Sequence, residues 1–190
     1  MPFGHLDEAI ADLKMAVELD PIALFPRHWL AIMYCLDRRF DLALEQADLL
    51  VTIEPMHFAA HFVMGVVSVE AGRLNEALAA LCKARDLSGG APLILGWLGL
   101  ALAESGNKAG AQSLLNGLHA ATPGVYVPPT SLAWIYLGLG ETDAFFEWMD
   151  KAIDARDHMV TPIQSYPFMD RIRDDPRYMG LLRKMRLTSP

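Results

Sequence analysis

Residues 72–89 read GRLNEALAALCKARDLSG. A glycine opens the stretch, small and large apolar residues alternate through it at helical spacing, and a second glycine closes it. Stepping outward by 34 residues brings the same punctuation back. Gly4, Arg38, Gly72, Gly106 and Gly140 share one phase; Ala9, Ala43, Ala77, Ala111 and Phe145 share a second; Ala16, Leu50, Ala84, Leu118 and Ala152 share a third. Pro21, Pro55 and Pro123 close three of the units, and Gly89 stands at the equivalent place in another. A fixed period of this size is the signature of stacked two-helix units.

The residue types say why the columns exist. Each unit predicts an amphipathic helix, a tight turn and a second amphipathic helix. Ala31, Gly65, Gly99 and Ala133 form a small column on the first helices, expected to face the alanine columns of the second helices where the backbones approach closely. The unit glycine falls just past the first helix, where a left-handed residue caps the last carbonyls. Arg38 interrupts that column, so the first complete unit is expected to turn differently there. Proline after the second helix stops it from running on.

These columns resemble the tetratricopeptide repeat. Leu30, Met64, Leu98 and Leu132 hold its leucine column, and Tyr34 and Tyr136 its tyrosine column, while Arg27, His61, Leu95 and Pro129 replace its usual tryptophan. The resemblance implies an all-α fold: a right-handed α-α superhelix of about four and a half units with a C-terminal helical cap. The expected layout is a solenoid over residues 1–157, with an unpaired helix over 6–19 and pairs within 23–53, 57–87, 91–121 and 127–156, followed by a capping segment over 158–190.

Composition narrows the function. The apolar fraction is 53%, yet the longest apolar runs keep helical phase and fall short of the roughly 20 residues a membrane span needs, so no membrane partner is expected. Two cysteines, Cys35 and Cys82, make neither a disulfide framework nor a metal spacing. Together with the absence of a secretory signal, they point to a reducing, cytoplasmic setting. A net charge of −7 without a basic stripe argues against nucleic acid. The helix over 6–19 lacks a preceding first helix, so its face of Leu6, Ile10, Leu13 and Val17 is a candidate for self-association. Either the chain continues a longer one or another surface covers that face.

From Asp157 onward the repeat dissolves. The run PFMDRIRDDPRYMGLLRKM and the stretch before it resemble the C-terminal end of the repeat regions of large bacterial signalling proteins, over roughly the last 65 residues. In that group the repeats follow an adenylate cyclase, winged-helix or serine/threonine kinase domain. The resemblance implies a regulatory or partner-binding region and transfers no catalytic residue. Physically, Tyr178, Leu181, Leu182 and Met185 line one side of a short capping helix. Residues 168–190 hold six Arg and Lys against three Asp. That excess is either a basic docking patch or a set of cations paired with the acidic repeats.

In such repeats binding takes place in a groove lined by the first helices. Its columns here give Phe25, His28, Ile32, Phe62, Val66, Val69, Leu93, Leu100, Thr130 and Trp134 as candidate groove residues. They lack the Lys and Asn of a carboxylate clamp. An apolar groove of this kind either takes a protein or peptide partner through an amphipathic segment or is filled by neighbouring units. Self-association into a homodimer and capture of a small apolar ligand are the alternatives.

Other chemistry is sparse. His57 and His61 stand four apart without a further ligand, Cys35 is expected to be a buried thiol, and Glu70 and Glu104 share an edge column. No nucleophile elbow, phosphate loop or zinc signature is present. The expectation is a non-catalytic protein-binding scaffold with no metal or cofactor.

Overall fold

The computed structural model describes residues 6–121 and 124–187. Gly4 and Pro123 of the repeat columns lie outside the described residues. Among those described, every regular element is helical: ten α-helices and two 3₁₀ segments. They divide into two compact units, up to Gly89 and from Gly90.

The first unit holds α1 (Leu6–Leu19), α2 (Leu24–Leu36), α3 (Phe40–Ile53), α4 (Phe58–Glu70) and α5 (Leu74–Ser88), each packed on the next. Leu30, Ala31, Tyr34, Ala43, Ala47, Leu50 and Val63 are buried in one core. Leu6, Leu13 and Val17 pack against it from α1, and Ile10 is only 5% exposed. The proposed self-association face of α1 is therefore turned into its own unit, because α2 lies directly on it. The large apolar side chains that α1 leaves exposed are Met15 and Leu19, at 56% and 82%.

The second unit holds α6 (Pro92–Glu104), α7 (Lys108–His119), α8 (Pro129–Leu139) and α9 (Thr142–Asp154). Then come 3₁₀ segments at His158–Val160 and Pro167–Ile172, and α10 (Pro176–Lys184), which packs on α9. Here α6 and α8 meet most extensively, and Gly96 is the reason. A Cβ at that position would lie 2.6 Å from the Ser131 Cα and 2.8 Å from the Ser131 carbonyl oxygen, so the two backbones are in direct contact.

The turns repeat as faithfully as the sequence. Arg39, Arg73, Asn107 and Glu141, each 34 residues after the last, donate their backbone N–H to the carbonyls of Tyr34, Ser68, Leu102 and Tyr136 at 2.8–2.9 Å. This is the six-to-one bond of a Schellman cap, and it requires a left-handed residue just before the donor. Gly72, Gly106 and Gly140 supply it with φ of 72°, 89° and 83°. Arg38 supplies it too, at φ 60°, so the expected departure in the first turn does not occur. The paired hydrogen bonds hold an ordinary side chain in a conformation that costs about 1–2 kcal/mol. Arg156 and Arg186, at φ 55° and 59°, end α9 and α10 likewise.

A stability test follows. Arg156 is exposed, and Arg156→Gly is expected to stabilise the chain by about 0.5–1 kcal/mol, the glycine's extra freedom when unfolded offsetting part of the relief. Gly106→Ala, with open space around its Cβ, is expected to cost about 1 kcal/mol through backbone strain alone. Urea unfolding of both variants checks the pair.

The small columns serve a different neighbour from the one expected. The space above Gly65 is filled by Leu81 of α5, and that above Gly99 by Ile135 of α8, each with a side-chain carbon 2.5 Å from the missing Cβ. Both glycines thus admit large branched residues instead of facing alanines.

Candidate functional site

An open pocket of about 360 Å³ lies in the first unit, floored by Leu50 of α3 and walled by Leu24, Phe25, His28 and Trp29 of α2 and by His57, Ala59 and Ala60 at the start of α4. Phe25 is 73% exposed and Trp29 40%. Their rings meet edge to face at 6.3 Å, and His28 tilts against Trp29 at 5.3 Å. Next to these lining residues in sequence, Ile22, Met56 and Phe58 are also exposed, at 73%, 68% and 43%. Isolated exposed apolar side chains are ordinary; two exposed aromatic rings walling one pocket, with more exposed apolar residues in the adjoining turns, have the character of a contact surface.

The histidines are fixed by local bonds. His57 caps α4, its Nδ1 accepting the Ala59 N–H at 3.3 Å, which leaves the ring proton on Nε2. Its ring stacks on Phe58 at 5.3 Å. His61 Nε2 lies 2.8 Å from the Pro55 carbonyl oxygen. Both rings of the His57–His61 pair are thus engaged by neighbouring backbone, and no cluster of three metal-ligating side chains occurs among the described residues. His28 titrates below its ordinary value, first because it is buried and second because His57 faces it. The His28 side of the pocket wall is therefore uncharged near neutrality.

The expected groove residues part company here. Phe25 is exposed, His28 lines the pocket, and Ile32, Phe62 and Leu93 are half-buried. Val66 and Val69 are buried at 2% and 8%. Leu100, Thr130 and Trp134 are completely enclosed, so as peptide anchors they must be withdrawn. The cause lies in the second unit itself. Trp97 and Trp134 sit 6.3 Å apart, and Tyr166 and Phe168 from the C-terminal segment close over both at 5.2–6.3 Å between ring centroids. Leu100 lies against Gly138 of α8.

A buried carboxylate anchors that strap. Asp157, 5% exposed, accepts from the Thr130 N–H at 3.1 Å and the Thr130 hydroxyl at 2.6 Å through Oδ2, and from the Met159 N–H at 3.1 Å through Oδ1. One side chain thereby caps the first turn of α8 and starts the strap. Further along, Arg171 pairs with Glu104, and the Tyr178 hydroxyl donates to the Ile163 carbonyl at 3.3 Å.

Several of the tail's cations are paired at the surface. Arg177 reaches Asp143 at 2.6 Å, and Lys184 reaches Asp150 and Asp154 at 2.7 Å each. Asp143, Asp150 and Asp154 are spaced along one face of α9. Of the two readings of the basic tail, pairing with the acidic repeats describes these residues.

Cys35 is 1% exposed, and burial followed by the nearby Glu70 charge pushes its thiol well above the usual range. Cys82 is half-buried. Under native conditions at pH 8 a thiol reagent is expected to modify Cys82 alone, with Cys35 reacting only on unfolding. Rapid modification of both would mean that the α2 core opens readily.

No helix among the described residues is long and apolar enough to cross a membrane. No family model matches the chain, and no curated protein matches it. Among solved structures it is similar to a thermophilic TPR protein of Thermus thermophilus, with 21% identity, a TM-score of 0.63, and coverage of 96% of this chain and 91% of that one. The comparison, taken with the 34-residue recurrence of the caps, establishes the fold: an all-helical solenoid of tetratricopeptide type.

Proposed function

We propose that this chain is a non-catalytic protein-interaction scaffold that binds an apolar or amphipathic peptide on its first unit. The observation that carries the reading is the open, aromatic-walled pocket at Phe25, His28 and Trp29, with Ile22, Met56 and Phe58 exposed in the adjoining stretches of chain. Seating one large apolar side chain there releases about 1.5–3 kcal/mol, enough for a few such anchors to sustain a micromolar complex. The binding surface in this reading is narrower than the columns of the first helices imply, because Leu100, Thr130 and Trp134 of the second unit are enclosed.

The resemblance of the C-terminal residues to the ends of repeat regions in bacterial signalling proteins supports a regulatory role in the cytoplasm of such a cell. The chain would there act beside an effector domain. Peptides selected for binding to the wild-type chain are the test. Phe25→Ser with Met56→Ser removes two exposed side chains, so the fold should persist by circular dichroism while affinity falls tenfold or more. Unchanged affinity in the double variant sinks the assignment. A concentration-dependent dimer abolished by the same variant would assign the pocket to a second copy, and a co-purifying small apolar molecule would assign it to a ligand.

A further inference from the structure

The charges around the pocket specify its partner further, on the reading that the first unit is the docking surface. Two turns lead into the pocket in the same repeat phase. Asp20 to Ala23 is closed by the Ala23 N–H on the Asp20 carbonyl at 3.1 Å and runs into Leu24; Glu54 to His57 is closed by the His57 N–H on the Glu54 carbonyl at 3.1 Å and ends on His57. Each turn presents an exposed carboxylate, Asp20 or Glu54, and two residues later an exposed apolar side chain, Ile22 or Met56. The apolar mouth is thus flanked twice, 34 residues apart, by the same acidic and apolar pair.

Among the described residues no cation answers these carboxylates. Lys and Arg are absent between Lys14 and Arg27 and again between Arg39 and Arg73. Arg27 is turned inward, 6% exposed, with Nη1 on the Gln46 amide oxygen at 2.7 Å and Nη2 on the Pro21 carbonyl at 2.8 Å. It braces the first turn from beneath. The Ile22 N–H donates to Asp20 Oδ1 at 3.3 Å, and the residue as a whole is exposed. His28, held below its ordinary value by burial and by His57, contributes no positive charge near neutral pH, and His57 Nδ1 is engaged by the Ala59 N–H. Across residues 6–89 thirteen carboxylates face seven Lys and Arg, so a partner of opposite charge is also steered toward this unit.

We propose that the pocket receives a cationic amphipathic peptide, with one large apolar side chain seated against Phe25 and Trp29 and flanking Lys or Arg side chains reaching Asp20 and Glu54. An amphipathic helix supplies both chemistries, since residues three and four apart share its face.

The experiment uses the full chain and three synthetic peptides of about 15 residues, long enough to sustain a helix. They share one leucine stripe and carry lysine, glutamine or glutamate on the polar positions. Binding is read by calorimetry at low salt. The expected order is lysine over glutamine over glutamate, with the lysine peptide at least tenfold tighter than the glutamine one. Asp20→Asn with Glu54→Gln should abolish that advantage. Glu45→Gln with Asp48→Asn, an equal change of charge at exposed sites on α3, should preserve it. If both charge variants weaken the lysine peptide equally, attraction is diffuse and the proposal is overturned. If all three peptides bind alike and all depend on Phe25, docking stands and the cationic partner does not. If no peptide's binding responds to Phe25→Ser, the docking surface itself is refuted.

Discussion

Replacing Trp134 with alanine is expected to lower stability by about 3–5 kcal/mol, the usual cost of emptying a large, fully enclosed site. The ring is 0% exposed and touches Trp97, Phe145, Tyr166 and Phe168. Its loss removes the seat on which the C-terminal strap rests. The strap's amides should then exchange with solvent faster than those of α6 and α7, and the near-ultraviolet dichroism of the aromatic cluster should collapse. Trp134→Phe is the control. The Trp134 Nε1 has no hydrogen-bond partner among the described residues, so phenylalanine sacrifices only part of the packing and should recover most of the stability. If alanine and phenylalanine variants unfold at the same urea concentration, the ring is not what holds the strap.

Gly96→Ala is expected to be nearly as damaging for the opposite reason. Most helical glycines gain from alanine, by about 1 kcal/mol. Here the added methyl group would enter the backbone of Ser131, at 2.6 Å from its Cα. A flexible side chain could swing away, but a helix backbone cannot, so α6 and α8 must separate along their contact. The expected penalty is about 3 kcal/mol, at the upper end of overpacking costs. Gly117→Ala in α7, where nothing lies within reach of the new Cβ, should stabilise by comparison. Denaturant midpoints of the two variants, moving in opposite directions, would establish the backbone contact in solution.

The repeat was legible because its causes are local. Left-handed caps, close helix approaches and proline stops each demand a residue type at a fixed offset, and the 34-residue period multiplies the signal. Arg38 was misread because residue identity is a weaker guide than the cap's hydrogen bonds: the Arg39 N–H finds the Tyr34 carbonyl whether or not the preceding residue is glycine. The enclosure of Trp134 was missed because the strap is built from 3₁₀ turns without periodicity, and that of Leu100 because it depends on the close approach of α8 at Gly138. A signal did exist. PLILGWLGLALAE in α6 and PTSLAWIYLGL in α8 are apolar on nearly every face, and such helices are covered on all sides. The open pocket in the first unit was visible only in part, since Phe25 and His28 fall in the groove columns while Trp29 and His57 do not.

The strap also sets an order on biosynthesis. Helices within a repeat find their partners almost as soon as they are made, but Arg171 meets Glu104 across 67 residues of chain. Synthesis at roughly 5–20 residues per second puts Phe168 about 2–7 s behind Trp134. For that interval the nascent second unit lacks the two rings that lie on its indoles in the finished fold, and exposed apolar surface of this kind favours aggregation and chaperone binding. Translation pauses between those two codons would lengthen the exposure, and faster decoding there would shorten it.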